Sequence, residues 1–146
     1  MTKPTPAVAG QPTSARPAVA HSPADRPLAD AHTTVADLKR LVERFVAERD
    51  WAKYHTPRNV AVSVVLEAGE LLEHFQWSPP APEEISPDKL REIGEEMADV
   101  LAYLLSLANV LDLDLAAALE AKMRKNRRKY PVERFQGHWE KAKKDA

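Results

Sequence analysis

Apolar residues recur at steps of three and four from Val35 onward: Val35, Leu38, Leu41, Val42, Phe45 and Val46. With about 3.6 residues per helical turn, that spacing keeps them on one side and predicts a helix over Val35 to Arg49. Trp51 and Tyr54 follow in a short connection. Thr56-Pro57 then signals a second start. Threonine can cap the first turn, and proline suits its first position because the missing N–H had no partner there. This second helix is predicted to reach about Phe75. Val60, Val62, Val64, Val65, Leu66, Leu71, Leu72 and Phe75 cover more than one of its faces, which predicts a central position. Gly69 inside it costs roughly 1 kcal/mol relative to alanine. A small residue there allows close packing or a close ligand.

Pro79, Pro80 and Pro82 break the chain into a loop over Ser78 to Ser86. Ser86-Pro87 repeats the cap-then-proline signal, and a third helix is predicted from Pro87 to Val110. Leu90, Ile93, Met97, Val100, Leu101, Leu104, Leu105 and Ala108 give it a wide apolar surface. Asp114 is the expected cap of a fourth helix carrying Leu115, Ala118, Leu119 and Met123 and ending before Pro131. No segment alternates in the manner of a strand. The expected fold is all-α: a four-helix bundle over residues 32–131, or half of a larger one. The apolar excess on helices two and three favours a homo-oligomer, a tetramer or a dimer.

The ends differ from this middle. Residues 1–31 hold six of the twelve prolines and few large apolar side chains, so they are expected to form a disordered tail. Residues 132–146 read as a polar C-terminal tail. The 146-residue chain has no cysteine and a net charge of -1. Disulfides and thiolate metal sites are thereby excluded. The near-balance of charge gives no pointer to a nucleic-acid polymer or a membrane surface. No apolar run approaches the roughly 18 to 20 residues that cross a bilayer, and a cytoplasmic location is expected.

Four acids stand apart from the rest. Glu67 and Glu70 are three residues apart on helix two, and Glu96 and Asp99 are three apart on helix three. Three-residue spacing places each pair on one helical face, among core-type residues such as Leu66, Leu71, Met97 and Val100. If the two helices pack antiparallel across the Ser78 loop, all four carboxylates converge. Four such groups repel one another unless a cation joins them. A hard divalent ion such as magnesium takes oxygen ligands and completes its shell with water and substrate phosphates. Glu73 and Glu95 are candidates for supporting groups around that set. A di-iron centre would need Glu-x-x-His on two helices, and His74 has Leu71 three positions before it. His21 and His32 lie in or beside the tail, and His55 and His138 lack a helical partner at ligand spacing.

Glu67-Ala-Gly-Glu70, twenty-five residues, then Glu96-Met-Ala-Asp99 resembles the ExxE…ExxD pattern of the all-alpha, MazG-like nucleoside triphosphate pyrophosphatases. Glu48-Arg-Asp-Trp51, His55-Thr-Pro-Arg-Asn59, Phe75-Gln-Trp77 and Lys122-Met-Arg-Lys-Asn126-Arg-Arg-Lys-Tyr130-Pro131 are similar to the dCTP pyrophosphatase branch. The resemblance implies hydrolysis of a nucleoside triphosphate to monophosphate and pyrophosphate, with dCTP or a modified dCTP as substrate. It implies Glu67, Glu70, Glu96 and Asp99 as catalytic magnesium ligands, manganese being the chemical substitute. It implies Lys122, Asn126 and Lys129 for the triphosphate, and Trp51, Trp77 and Tyr103 for the base. Arg127 and Arg128 lie in the same basic run, where they equally complement the dipole of their own helix. Two positions depart from the animal members: Val42 stands where they carry a histidine, and the loop after Trp77 is shorter. A non-enzymatic helical interaction module and a pyrophosphohydrolase of another phosphorylated metabolite are the competing readings.

Overall fold

The structure is a computed structural model that describes residues 27–77 and 81–138. The expectation for the tail over residues 1–26 lies outside the described residues. Helix α1 spans Val35–Glu48, α2 Pro57–Glu73, α3 Pro87–Val110, α4 Leu115–Lys129 and α5 Val132–Phe135, with a 3-10 turn at Pro82–Glu84. Among the described residues there is no strand.

Each long helix starts on a side-chain cap. The Thr34 hydroxyl accepts from the Asp37 N–H, and the Asp37 carboxylate accepts from the Thr34 N–H at 2.8 Å, a reciprocal box. Thr56, Ser86 and Asp114 accept from the N–H groups of Asn59, Lys89 and Ala117, and Pro57 and Pro87 open α2 and α3. The starts at Pro57, Pro87 and Asp114 thus fall where the sequence puts them.

Helices α1 and α3 end alike. After α1, the Asp50 N–H donates to Ala47 O and the Trp51 N–H to Val46 O; after α3, the Asp112 N–H donates to Asn109 O and the Leu113 N–H to Ala108 O. Asp50 and Asp112 have φ of 51° and 50°. This is the Schellman arrangement, with aspartate at the left-handed position that glycine ordinarily takes.

Helix α3 is the centre of the fold. It packs along α2 and against α1, and it contributes Ile93, Leu105, Ser106 and Ala108 to the buried set, where α2 contributes Val60 alone. The sequence predicts α2 as central; instead Val62, Val65, Leu66 and Leu72 of α2 face solvent, Val65 being 70% exposed. Their apolar character is not used within one chain. A two-way brace fixes α1: the Asn109 amide donates to Lys39 O at 3.0 Å, and Lys39 Nζ donates to Leu113 O at 2.8 Å. His55, just before α2, lies 3.5 Å from the Ser106 hydroxyl.

Helix α4 leaves α3 at 103°. It has no buried residue and shares no broad interface with the other helices. Within the stretch from Val132 onward lies the short helix α5, where Phe135 packs edge-on against Tyr130 at 5.2 Å. Residues 139–146 lie outside the described residues. Among the described residues, no single helix is long and apolar enough to cross a membrane.

Candidate active site

The α2–α3 pair builds the site. His74 of α2 approaches Glu92 of α3, while Glu67 and Glu70 approach Glu96. Numbering therefore rises along one helix as it falls along the other, and the pair is antiparallel. Three-residue spacing does the rest: it stacks Glu67 and Glu70 on the face of α2 that meets α3.

One carboxylate oxygen from each of Glu67, Glu70 and Glu96 lies within 4.8 Å of the other two. Glu67 and Glu96 are half-buried and Glu70 is exposed. Asp99 falls outside this tight trio, although its charge reaches Glu67. Burial, then the negative charges of Glu70, Asp99 and Glu96, push the Glu67 carboxyl above the ordinary carboxylate range. An all-oxygen set gathered from two helices, with one member already resisting ionisation, fits a hard divalent cation. Glu73 and Glu95 are exposed. Glu92, one turn before Glu96, lies 3.9 Å from His74 Nδ1.

The aromatic residues are placed differently from one another. Tyr103 is half-buried on α3, one turn beyond Asp99 and on the same face. Trp51 closes the C-terminal cap of α1. Its ring meets Phe45 edge-on, with centroids 5.9 Å apart. Trp77, past the end of α2, is 87% exposed.

Lys122, Asn126 and Lys129 share one face of α4 by their steps of four and three. Because α4 turns away from α3, one chain does not bring that face against the carboxylates. Asn126 points its amide toward Met123 Sδ at 4.0 Å, and Lys129 Nζ sits 5.1 Å over the Tyr130 ring. Arg127 and Arg128 are exposed in the last turn of α4. The sequence marks Phe45 only as part of the apolar stripe of α1 and gives Glu92 and Arg49 no role. The four-residue step from Phe45 to Arg49, two residues before Trp51, was the available signal for Phe45 and Arg49.

Proteins similar to this chain in sequence and fold include pyrophosphatases. dCTP pyrophosphatase 1 of Bos taurus is 45% identical over 107 residues, covering 71% of this chain and 63% of that protein. The Homo sapiens protein of the same name is 45% identical over 102 residues, covering 68% of this chain and 60% of its own. The chain thus spans somewhat under two thirds of the curated relatives it matches. A crystal structure of a pyrophosphatase from Archaeoglobus fulgidus superposes with a TM-score of 0.60 at 42% identity, covering 72% of this chain and 99% of that one. The MazG-like family profile matches residues 62–145, a stretch that contains all four acids and the whole of α3 and α4. With that match over more than half its length, the chain belongs to the MazG-like family.

Proposed function

We propose that this chain is a magnesium-dependent nucleoside triphosphate pyrophosphohydrolase, with dCTP or a 5-substituted dCTP as its substrate. The observation that carries the reading is the convergence of Glu67, Glu70 and Glu96 on the face between α2 and α3. The relatives' name, dCTP pyrophosphatase 1, supports the substrate class.

Glu67, Glu70 and Glu96 would hold the magnesium ion, with Asp99 approaching from the next position on α3. A bound cation of this kind neutralises phosphate charge and makes a coordinated water a better nucleophile. The chain's own residues do the rest. Water attacks the α-phosphorus, the bond from that phosphorus to the bridging oxygen breaks, and pyrophosphate leaves the nucleoside monophosphate. Glu67, beside the attacking water, orients it and takes its proton. Lys122, Asn126 and Lys129 bind the triphosphate from a second copy or after α4 closes on its own. Trp51, Trp77 and Tyr103 present aromatic faces to the base. The exposed apolar faces of α2 and α3 favour a homo-oligomer, a tetramer or a dimer, as the working form.

The test is a panel of canonical and modified dNTPs and NTPs assayed for pyrophosphate release with and without magnesium. Magnesium-dependent release, with dCTP-type compounds giving the highest kcat/KM, is the expected result. No release from any nucleotide would end the enzymatic reading. A purine preference would overturn the substrate class alone.

A further inference from the structure

Trp51 sits on the capped C-terminal end of α1. The Schellman cap of α1 ends on its N–H, and Asp50 accepts a left-handed backbone to place it there. In such caps an apolar residue after the left-handed position packs back on the last turn, and Trp51 does so against Phe45. Arg49 completes the cluster. Its guanidinium carbon lies 3.6 Å from the centroid of the Phe45 ring and 6.0 Å from that of Trp51. Its Nη1 donates to Phe45 O at 3.0 Å and reaches the Glu48 carboxylate at 3.5 Å. The arginine is pinned at its head and stacked on one ring while it faces another.

This matters because Trp51 remains 44% exposed. A half-exposed indole without such neighbours would have to be ordered when a base stacks on it, and ordering a side chain at a binding surface weakens binding by up to about tenfold. A cluster that orders it beforehand removes that penalty. Guanidinium suits the task because it is planar and stacks on aromatic faces, where an ammonium does not.

We infer that Arg49 and Phe45 are positioning residues that hold the Trp51 indole ready as one wall of the base site. The inference rests on the reading of Trp51 as a base-contacting residue. Neither positioning residue touches the reacting phosphates. Their loss therefore acts on nucleotide binding and leaves the chemical step alone.

The test measures dCTP hydrolysis by the full chain in Arg49→Ala, Arg49→Lys, Phe45→Leu and Trp51→Ala variants. Each of the first three should raise KM about three- to tenfold. Their kcat should stay within about twofold, and their magnesium affinity should not change. In 5-fluorotryptophan-labelled protein, the Trp51 fluorine resonance should move toward its solvent-exposed value in all three. Wild-type KM in Arg49→Lys would mean that charge alone acts, and would overturn the stacking role. Wild-type KM in both Arg49→Ala and Phe45→Leu, with KM raised in Trp51→Ala, would overturn the inference while sparing the base-site reading. Unchanged KM in Trp51→Ala would overturn both. Should Arg49→Ala not fold, Arg49→Lys and Phe45→Leu decide the matter.

Discussion

His74, the C-cap of α2, places its Nδ1 3.9 Å from the carboxylate of Glu92 on α3, and that nitrogen is buried with no hydrogen-bond partner among the described residues. The pair stands one turn beyond the position where Glu70 meets Glu96. A buried polar atom without a partner costs about 1–3 kcal/mol. His74→Leu should therefore raise the unfolding free energy at neutral pH by about 1 kcal/mol, measured by urea denaturation. A loss of stability would mean that the imidazole and Glu92 bind each other more firmly than their separation indicates.

The carboxylates are not equivalent. Glu67, Glu70 and Glu96 form the tight trio and Asp99 lies outside it. Glu96→Gln keeps the shape and removes the charge, and should weaken magnesium binding and turnover on the order of a hundredfold or more, beyond the effect typical of groups around a metal's ligands. Asp99→Asn should weaken magnesium binding less. Titration calorimetry on both variants, with pyrophosphate release in parallel, tests the ranking; equal losses would place Asp99 on the same footing as the trio.

Metal binding should depend on pH in a defined direction. Burial and three acidic neighbours raise the Glu67 carboxyl above its ordinary range. An acid raised in this way favours the native state while protonated. That contribution is complete below the unfolded value of about 4.3 and is lost as pH rises through the higher native one. The cation binds the ionised form, so it competes with the proton. Magnesium affinity should fall, and the magnesium-induced rise in Tm should shrink, as pH is lowered from neutral into the raised range of the Glu67 carboxyl. A pH-independent affinity across that window would show that Glu67 is not a ligand.

Gly69 lies between Glu67 and Glu70, and a Cβ built there meets nothing within 4 Å among the described residues. Gly69→Ala should thus stabilise α2 by about 0.5–1 kcal/mol, read from chemical denaturation. If nucleotide or a second copy comes close at that point, the same variant will lose activity while it gains stability. Gly94 of α3 is equally open, and Gly94→Ala serves as the control.

Val65, Leu66 and Leu72 of α2 and Met97 of α3 are all more than half exposed. So much unpartnered apolar surface on neighbouring helices is uncommon in a monomer. Light scattering should give a mass that is a multiple of 16.3 kDa at micromolar concentration. A monomer under those conditions would count against the oligomer.

The sequence was most legible where local chemistry decides the outcome. Thr56-Pro57, Ser86-Pro87 and Asp114 announce helix starts because capping needs only a short side chain and a few free N–H groups. The Glu67, Glu70 and Glu96 convergence was legible because three-residue spacing fixes a face. What could not be read depends on partners distant in sequence. The apolar pattern of α2 suggested a central helix, but a pattern does not tell burial within a chain from burial between chains. Helix α5 escaped notice because four residues are too few to display a period, and the Tyr130–Phe135 contact that holds it comes from tertiary geometry. The caps at Asp50 and Asp112 were missed because glycine or asparagine is the residue that ordinarily marks such a turn.

Asp112 has a mechanical consequence. It lies in the short link at the 103° corner from which α4 extends. At about 1.5 Å per residue, α4 is a lever of roughly 22 Å, so a swing of about 10° at that link carries its basic tip about 4 Å. Small changes between Leu111 and Asp114 are thus magnified at the far end of α4.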